Sequence, residues 1–200
     1  KKLIKLIDIA KSADADYVKF QLFTTENFIN QKFNHKKINY QKLYRRFKSL
    51  EFSLEKWKKA IQHAKSIGIN IFFSVFDKES YDILEKLKIS LIKIPSGEIN
   101  NYDLLKKINK SRKKVILSTG MSNLFEIQKA LKHLNKCKVT LMHCVSEYPT
   151  LNPNLNNIKL LQRKFKLEVG YSDHTPDVIT PALSVIAGAT YIEKHFTYNK

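Results

Sequence analysis

Cysteine, glycine, proline and acidic residues are all scarce in this sequence of 200 residues, and each shortage excludes something. Two cysteines, Cys137 and Cys144, cannot staple a small secreted scaffold, and nothing else suggests export, so a reducing cytoplasm is the expected compartment. The 5 glycines never fall into the G-x-G-x-x-G turn of a dinucleotide-binding sheet. No run approaches the roughly 18 uninterrupted apolar residues of a membrane span. No leader of basic, apolar and small-residue regions opens the chain. It starts Lys1-Lys2-Leu3-Ile4 without methionine, as a fragment would. Low-complexity linkers and internal domain boundaries are also missing, so one domain over residues 1–200 is expected.

Acidic residues number 18 against 36 lysines and arginines, a net charge of +18. Such an excess can serve nucleic acid, an anionic membrane or a phosphorylated substrate. Arginine, whose fork suits phosphate, supplies only Arg45, Arg46, Arg112 and Arg163. The lysines are scattered along the whole chain, which reads as compositional drift rather than a nucleic-acid surface. An anionic small molecule stays open, because it needs only a few well-placed lysines.

What is present is a rhythm. Short β-prone runs occur at 16–23, 69–76, 91–95, 114–118, 138–143, 167–172 and 190–196. Between them lie helix-period stretches such as Leu124, Ile127, Ala130, Leu131 and Leu134, the pattern of an amphipathic helix packed on a sheet. Regular strand–helix alternation implies parallel strands with right-handed crossovers. An opening helix over 3–13 precedes the first run, which suggests a strand missing upstream. Seven strands plus one give the count of a closed (β/α)8 barrel; an open doubly wound sheet is the rival. One interruption, between Thr24 and Leu54, is aromatic and basic (Phe28, Phe33, Tyr40, Tyr44, Arg45, Arg46, Phe47). It is expected to be a loop and helix across one barrel mouth.

Barrel chemistry sits at the C-terminal ends of the strands, and polar residues cluster there. Side chains alternate along a strand, so Lys19 and Gln21 share a face, as do Glu193 and His195. A lysine inside a β-run needs an anion, and both Lys19 and Lys93 have that placement. Beside Ser96, Ser118 and Ser172 they suit a phosphate or carboxylate. His174 and His195 end neighbouring strands about 4.8 Å apart and can reach one divalent cation. With Asp173 or Glu193 nearby, the ligand types suit Mn, Zn or Fe. Glu98 is a general acid/base candidate or the orienter of a lysine. His143 and Cys144 are adjacent on a strand and face opposite ways, which argues against a Cys/His nucleophile.

The strings VKFQ (Val18–Gln21), KIPSGEINN (Lys93–Asn101), LSTGM (Leu117–Met121), HCVSEYPT (His143–Thr150), GYSDHT (Gly170–Thr175) and IEKHFT (Ile192–Thr197) occur in one order. Together they resemble the sialic acid synthase (N-acetylneuraminate synthase) family, which includes the legionaminic and pseudaminic acid synthases. The resemblance runs from about Ala10 to the last residue. It implies a (β/α)8 barrel that condenses phosphoenolpyruvate with an N-acetylated amino sugar aldehyde. The products are a nine-carbon 2-keto sugar acid and phosphate. It further implies Mn or Mg on His174 and His195, with Lys19, Lys93, Ser96, Ser118 and Ser172 on phosphoenolpyruvate. Glu98, Tyr148 and Gln21 would contact or orient the sugar and the reacting groups. Ser146, Asp173 and Glu193 complete the expected substrate-binding set.

The resemblance also marks departures. The family's first strand, with its glutamate and Asn-His-Asn-Gly stretch, has no counterpart here. Neither has the small C-terminal antifreeze-like domain, which reaches a partner's active site in the family's homodimer. Ser74-Val75-Phe76-Asp77 is one residue shorter than the family's Ser-Thr-Pro-Phe-Asp. Some members have Asn where Ser146 stands, and Cys144-Val145-Ser146-Glu147-Tyr148 leans towards the legionaminic branch or bacterial N-acetylneuraminate synthases. Other metal-dependent phosphoenolpyruvate aldol synthases on the same barrel are the nearest enzyme alternative. A basic nucleic-acid-binding module is the non-enzyme one; the resemblance itself implies neither nucleic acid nor membrane as a partner.

Overall fold

Each β-prone run meets a strand of the computed structural model, which describes residues 2–29 and 38–199; the sixth strand runs one residue past its expected end, to Asp173. Two units, Lys1–Ser90 and Leu91–Lys200, divide the chain.

The first unit is ordered α1 (Lys2–Ser12), β1 (Tyr17–Leu22), α2 (Thr25–Phe28), α3 (Tyr40–Lys48), α4 (Leu54–Ser66), β2 (Asn70–Val75) and α5 (Lys78–Lys86). β1 and β2 pair in parallel, with Lys19 beside Phe72 and Gln21 beside Ser74. Alternation along β1 buries Val18 and Leu22, and Phe20 meets Trp57 of α4 with ring centroids 5.7 Å apart. Lys19 and Gln21 take the opposite face, as expected. Trp57, Ala60 and Ala64 form the buried stripe of α4, and Trp57 sets its ring edge against Phe73 at 4.9 Å.

Helix α5 begins at Lys78, four residues before the expected start at Asp82. A reciprocal capping box explains this: Asp77 accepts from the Ser80 N–H, and the Ser80 hydroxyl accepts from the Asp77 N–H. Asp77 also accepts from the Thr24 N–H at 2.8 Å and lies 3.3 Å from the Thr24 hydroxyl. The shortened Ser74–Asp77 segment therefore ties the end of β1 to the start of α5. The aromatic interruption holds α2 and α3. Phe28 clusters with Phe23, Phe47 and Phe76 at centroid distances of 5.0 to 5.3 Å, while Lys48 bridges Glu26 and Glu51. Phe33 lies outside the described residues.

The second unit is ordered β3 (Leu91–Ile94), α6 (Tyr102–Asn109), β4 (Lys114–Ser118), α7 (Leu124–His133), β5 (Lys138–His143), α8 (Asn156–Phe165), β6 (Val169–Asp173), α9 (Thr180–Ile186) and β7 (Ile192–Lys194), with a 3-10 turn at Ser96–Glu98. Its strands pair in parallel in chain order. Strand faces buried under the helices carry Ile92, Ile94, Val115, Leu117 and Leu141, and α7 opens with an Asn123–Glu126 capping box. Strands β4 and β5 keep their expected bounds. β7 is shorter than expected, because its ladder with β6 ends where Asp173 meets Lys194. The fold is α/β, with the strand–helix alternation of a partial (β/α) barrel. Among the described residues no helix is long and apolar enough to cross a membrane.

Candidate active site

At the C-terminal ends of the second unit's strands, polar side chains gather on one sheet face. Lys93 enters from β3, is 2% exposed, and donates to both carboxylate oxygens of Glu193 at 2.8 and 2.9 Å. Ser172 donates to the same carboxylate at 2.8 Å. Ser172 and Glu193 are register partners on β6 and β7, so strand pairing alone brings them together. The buried ammonium thus has its anion, as burial requires.

His174 follows two residues after Ser172 on the same face. Its Nδ1 lies 2.5 Å from the Val145 carbonyl oxygen. A carbonyl only accepts, so Nδ1 carries the proton. Ser172 stands 3.3 Å from Nε2, but its single proton is directed at Glu193. Nε2 is therefore the ring nitrogen that no backbone carbonyl holds. The His195 ring lies 5.7 Å from that of His174. Tyr148 covers His174 at a centroid distance of 4.0 Å and approaches His195 at 5.7 Å. Burial pushes the Tyr148 phenol above its usual pKa, helped by the nearby Cys144 and Glu193. These three rings line a cavity of about 240 Å³.

Two imidazoles, one with its Nδ1 held by a backbone carbonyl so that Nε2 would be the ligating atom, fit a divalent cation. No group of three or more His, Cys, Asp or Glu side chains stands in metal-holding geometry among the described residues. A cation on this pair would keep coordination positions for substrate and water.

The β3–β5 ends supply the neighbouring polar atoms. Ser96 accepts from the Gly120 N–H at 3.1 Å and lies 3.3 Å from the Cys144 thiol. A Cβ on Gly120 would stand 2.6 Å from that sulfur and 2.7 Å from Ser146 Oγ, so the bare glycine lets the LSTGM and HCVSEYPT strings approach. Ser118 is buried at the end of β4, and Ser146 is exposed. Glu98, half-buried in the turn after β3, accepts from the Asn101 side chain at 2.8 Å. Asn101 also caps α6, which ties Glu98 to the helix start. In the first unit, Lys19 lies 3.4 Å from the Ser74 hydroxyl. Gln21 borders a cavity of about 110 Å³ with Glu51 and Trp57.

Asp173, an expected substrate contact, borders the cavity of the two imidazoles, and its carboxylate is engaged by the protein itself. Alternation turns it away from Ser172 and His174, and its side chain is wholly buried. It accepts from the Tyr171 hydroxyl at 3.1 Å, from the Thr175 N–H at 3.0 Å and from the Thr175 hydroxyl at 2.7 Å. Lys194 completes the set by an ion pair. Burial pushes the Asp173 carboxyl up, but Lys194 and Thr175 together bring it below its ordinary value. Burial and the bond to Asp173 push the Tyr171 phenol up. His143 shares this second face: it lies 2.8 Å from the Pro153 carbonyl and stacks on Tyr171 at 5.9 Å, with its pKa lowered by burial. His143 and Cys144 do face opposite ways, so they form no nucleophile pair.

Sequence reasoning missed Lys194 and the Val145 carbonyl. Alternation could have flagged the first: a charged residue one step out of phase with Glu193 and His195 needs its own partner. No sequence signal marks a backbone carbonyl.

The family model that matches this chain, over residues 6–200, is that of the NeuB family. The chain belongs to the NeuB family. It is 45% identical over 98% of its length to the N,N'-diacetyllegionaminic acid synthase of Campylobacter jejuni, covering 63% of that protein. It is 33% identical over 95% of its length to the pseudaminic acid synthase of Helicobacter pylori, covering 59% of that protein. Among solved structures, the N-acetylneuraminic acid synthetase of Leptospira borgpetersenii superimposes with a TM-score of 0.90 at 30% identity, over 98% of this chain and 68% of that one. This NeuB-family chain spans about three fifths of the length of the curated relatives it matches.

Proposed function

We propose that this NeuB-family protein condenses phosphoenolpyruvate with an N-acetylated amino sugar aldehyde, giving a nine-carbon 2-keto sugar acid and phosphate. The observation that carries this reading is the Lys93–Glu193–Ser172 cluster beside two imidazoles at the strand ends. A buried ammonium held by an internal carboxylate is an anion site already filled by a surrogate. Phosphoenolpyruvate offers two anionic groups to take that place. Ser96 and Ser118, with the backbone around Gly120, supply neutral donors of the kind that position a phosphate. Lys19 carries the same role by its motif, VKFQ.

In the reaction, C3 of phosphoenolpyruvate forms a bond to the aldehyde carbon and the aldehyde oxygen takes up a proton. Water adds at C2, and phosphate leaves as the C2–O bond breaks. Lys93 offsets charge on the anionic substrate, and Ser172 orients Glu193. The Tyr148 phenol, kept protonated by its surroundings, presents a donor at the mouth, where the sugar would lie. Glu98 stands at the β3 end as the acid/base or orienting group. A Mn or Mg ion on His174 and His195 would supply Lewis-acid polarisation of the aldehyde oxygen. Positioning and charge stabilisation carry most of the rate. The likeness to the diacetyllegionaminic acid synthase supports a 2,4-diacetamido sugar over N-acetylmannosamine. We further propose the cytoplasm as its compartment, from the scarcity of cysteine, and a homodimer as its assembly, as the family resemblance implies.

Phosphate release from phosphoenolpyruvate tests this, with each sugar in turn, with Mn and after chelation. The expected result is release that needs both sugar and metal. Folded protein that releases no phosphate with any amino sugar would overturn the assignment in favour of another phosphoenolpyruvate aldol synthase.

A further inference from the structure

The ends of β6 and β7 carry an ion pair to which the proposed reaction assigns no role. Asp173 and Lys194 are direct register partners and form an ion pair. Each immediately precedes one of the two cavity histidines, His174 and His195. The β6–β7 ladder ends at this pair. A tie at this position sets the backbone from which both imidazoles leave the strand ends.

The two ends of the tie are anchored differently. Asp173 is held by Tyr171 and by both donors of Thr175. Lys194 also donates to the carbonyls of Thr175 and Asp177, both at 3.0 Å. The ammonium therefore draws together the end of β7 and the loop that follows β6. His174 has a further backbone anchor, since its carbonyl accepts from the Thr150 N–H at 3.0 Å. β7 is only three residues long, and His195 itself is exposed. Lys194 ties the last residue of this short strand to β6, one step beyond the Ser172–Glu193 bond.

We infer that Lys194, through Asp173, is a positioning residue that holds His195 at its distance from His174, and so sets the affinity of the pair for a divalent cation. The inference rests on the metal part of the proposed function. It concerns a lysine that borders the same cavity as the two imidazoles but whose ammonium is engaged by Asp173 and by the carbonyls of Thr175 and Asp177.

The test is Mn affinity, measured on the protein without substrates by electron spin resonance of free Mn. Wild type, Lys194→Met, Lys194→Arg and His174→Ala are compared well below their unfolding temperatures. Lys194→Met should weaken Mn binding about tenfold, the lower end of the range for groups that orient metal ligands. Lys194→Arg, which keeps the cation and its donors, should recover most of the affinity. A merely structural lysine would lower the unfolding temperature of the Met variant and leave its Mn affinity at the wild-type value, which would overturn the inference. Wild type that binds Mn no better than His174→Ala would instead remove the metal site and the inference with it. Those two failures are distinct.

Discussion

The strand ends of β6 and β7 carry two lysine–carboxylate pairs on opposite faces, and the pairs are built to different ends. In one pair the Lys93 side chain is 3% exposed and that of Glu193 17%, so the carboxylate is the more open partner. In the other, Asp173 is 0% exposed and Lys194 38% exposed. The wholly buried carboxylate is met by a phenol, a backbone N–H, a hydroxyl and an ammonium. That makes a fastener. Glu193, partly open to solvent beside a buried ammonium, can yield that ammonium to an incoming anion. Desolvation decides the difference: removing a charge from water is tolerated only where bonds replace the hydration, and a carboxylate near solvent can be released at lower cost than a buried one.

The largest expected effect comes from breaking the first pair. Lys93→Met leaves the Glu193 carboxylate without its ammonium and should cost about 3–5 kcal/mol of stability, with loss of phosphoenolpyruvate turnover. Lys93→Met with Glu193→Gln should recover most of the stability in urea unfolding and none of the turnover. Turnover in that double variant would show the first pair to be a fastener like the second. Tyr171→Phe sharpens the other side. It removes one of several bonds to Asp173 and should cost about 1 kcal/mol, with phosphoenolpyruvate affinity unchanged in calorimetry. A change in that affinity would mean the two faces are not separate.

The smallest effect is a pH dependence confined to the second face. Burial lowers the His143 pKa below the ordinary imidazole value of about 6.5. The unfolded chain takes up a proton near pH 6.5, and the folded chain only below that. Unfolding free energy should therefore decline as pH falls from 6.5 through the folded value. Urea unfolding at pH 7.5 and 5.5 should show a smaller difference for His143→Gln than for wild type. Equal differences would sink this account.

Much of this was readable before any coordinates. Hydrophobic alternation marks the strands, and the 3.6-residue stripe of Leu124 to Leu134 marks a helix, because local periodicity mirrors burial on one side of an element. The faces of Lys19 with Gln21, and of Glu193 with His195, follow from the two-residue repeat of a strand. The motif strings also named the family that the comparison with known proteins shows. The early start of α5 was missed because its Asp77–Ser80 box lies ahead of the apolar stripe. The end of β7 was overrun because β-propensity continues past the last ladder pair.

What the sequence determined by itself is thus the element order, the facing of residues along each strand and the set of polar groups at the strand ends. Only the tertiary structure decided which of those groups meet. Lys93 lies 100 positions from Glu193, and nothing local selects that pairing over one with Asp173. The register of β6 on β7 selects it, by setting Ser172 beside Glu193 and Asp173 beside Lys194. The proton on His174 Nδ1 is settled by a carbonyl 29 positions away, a group that every residue carries and whose use only folding reveals.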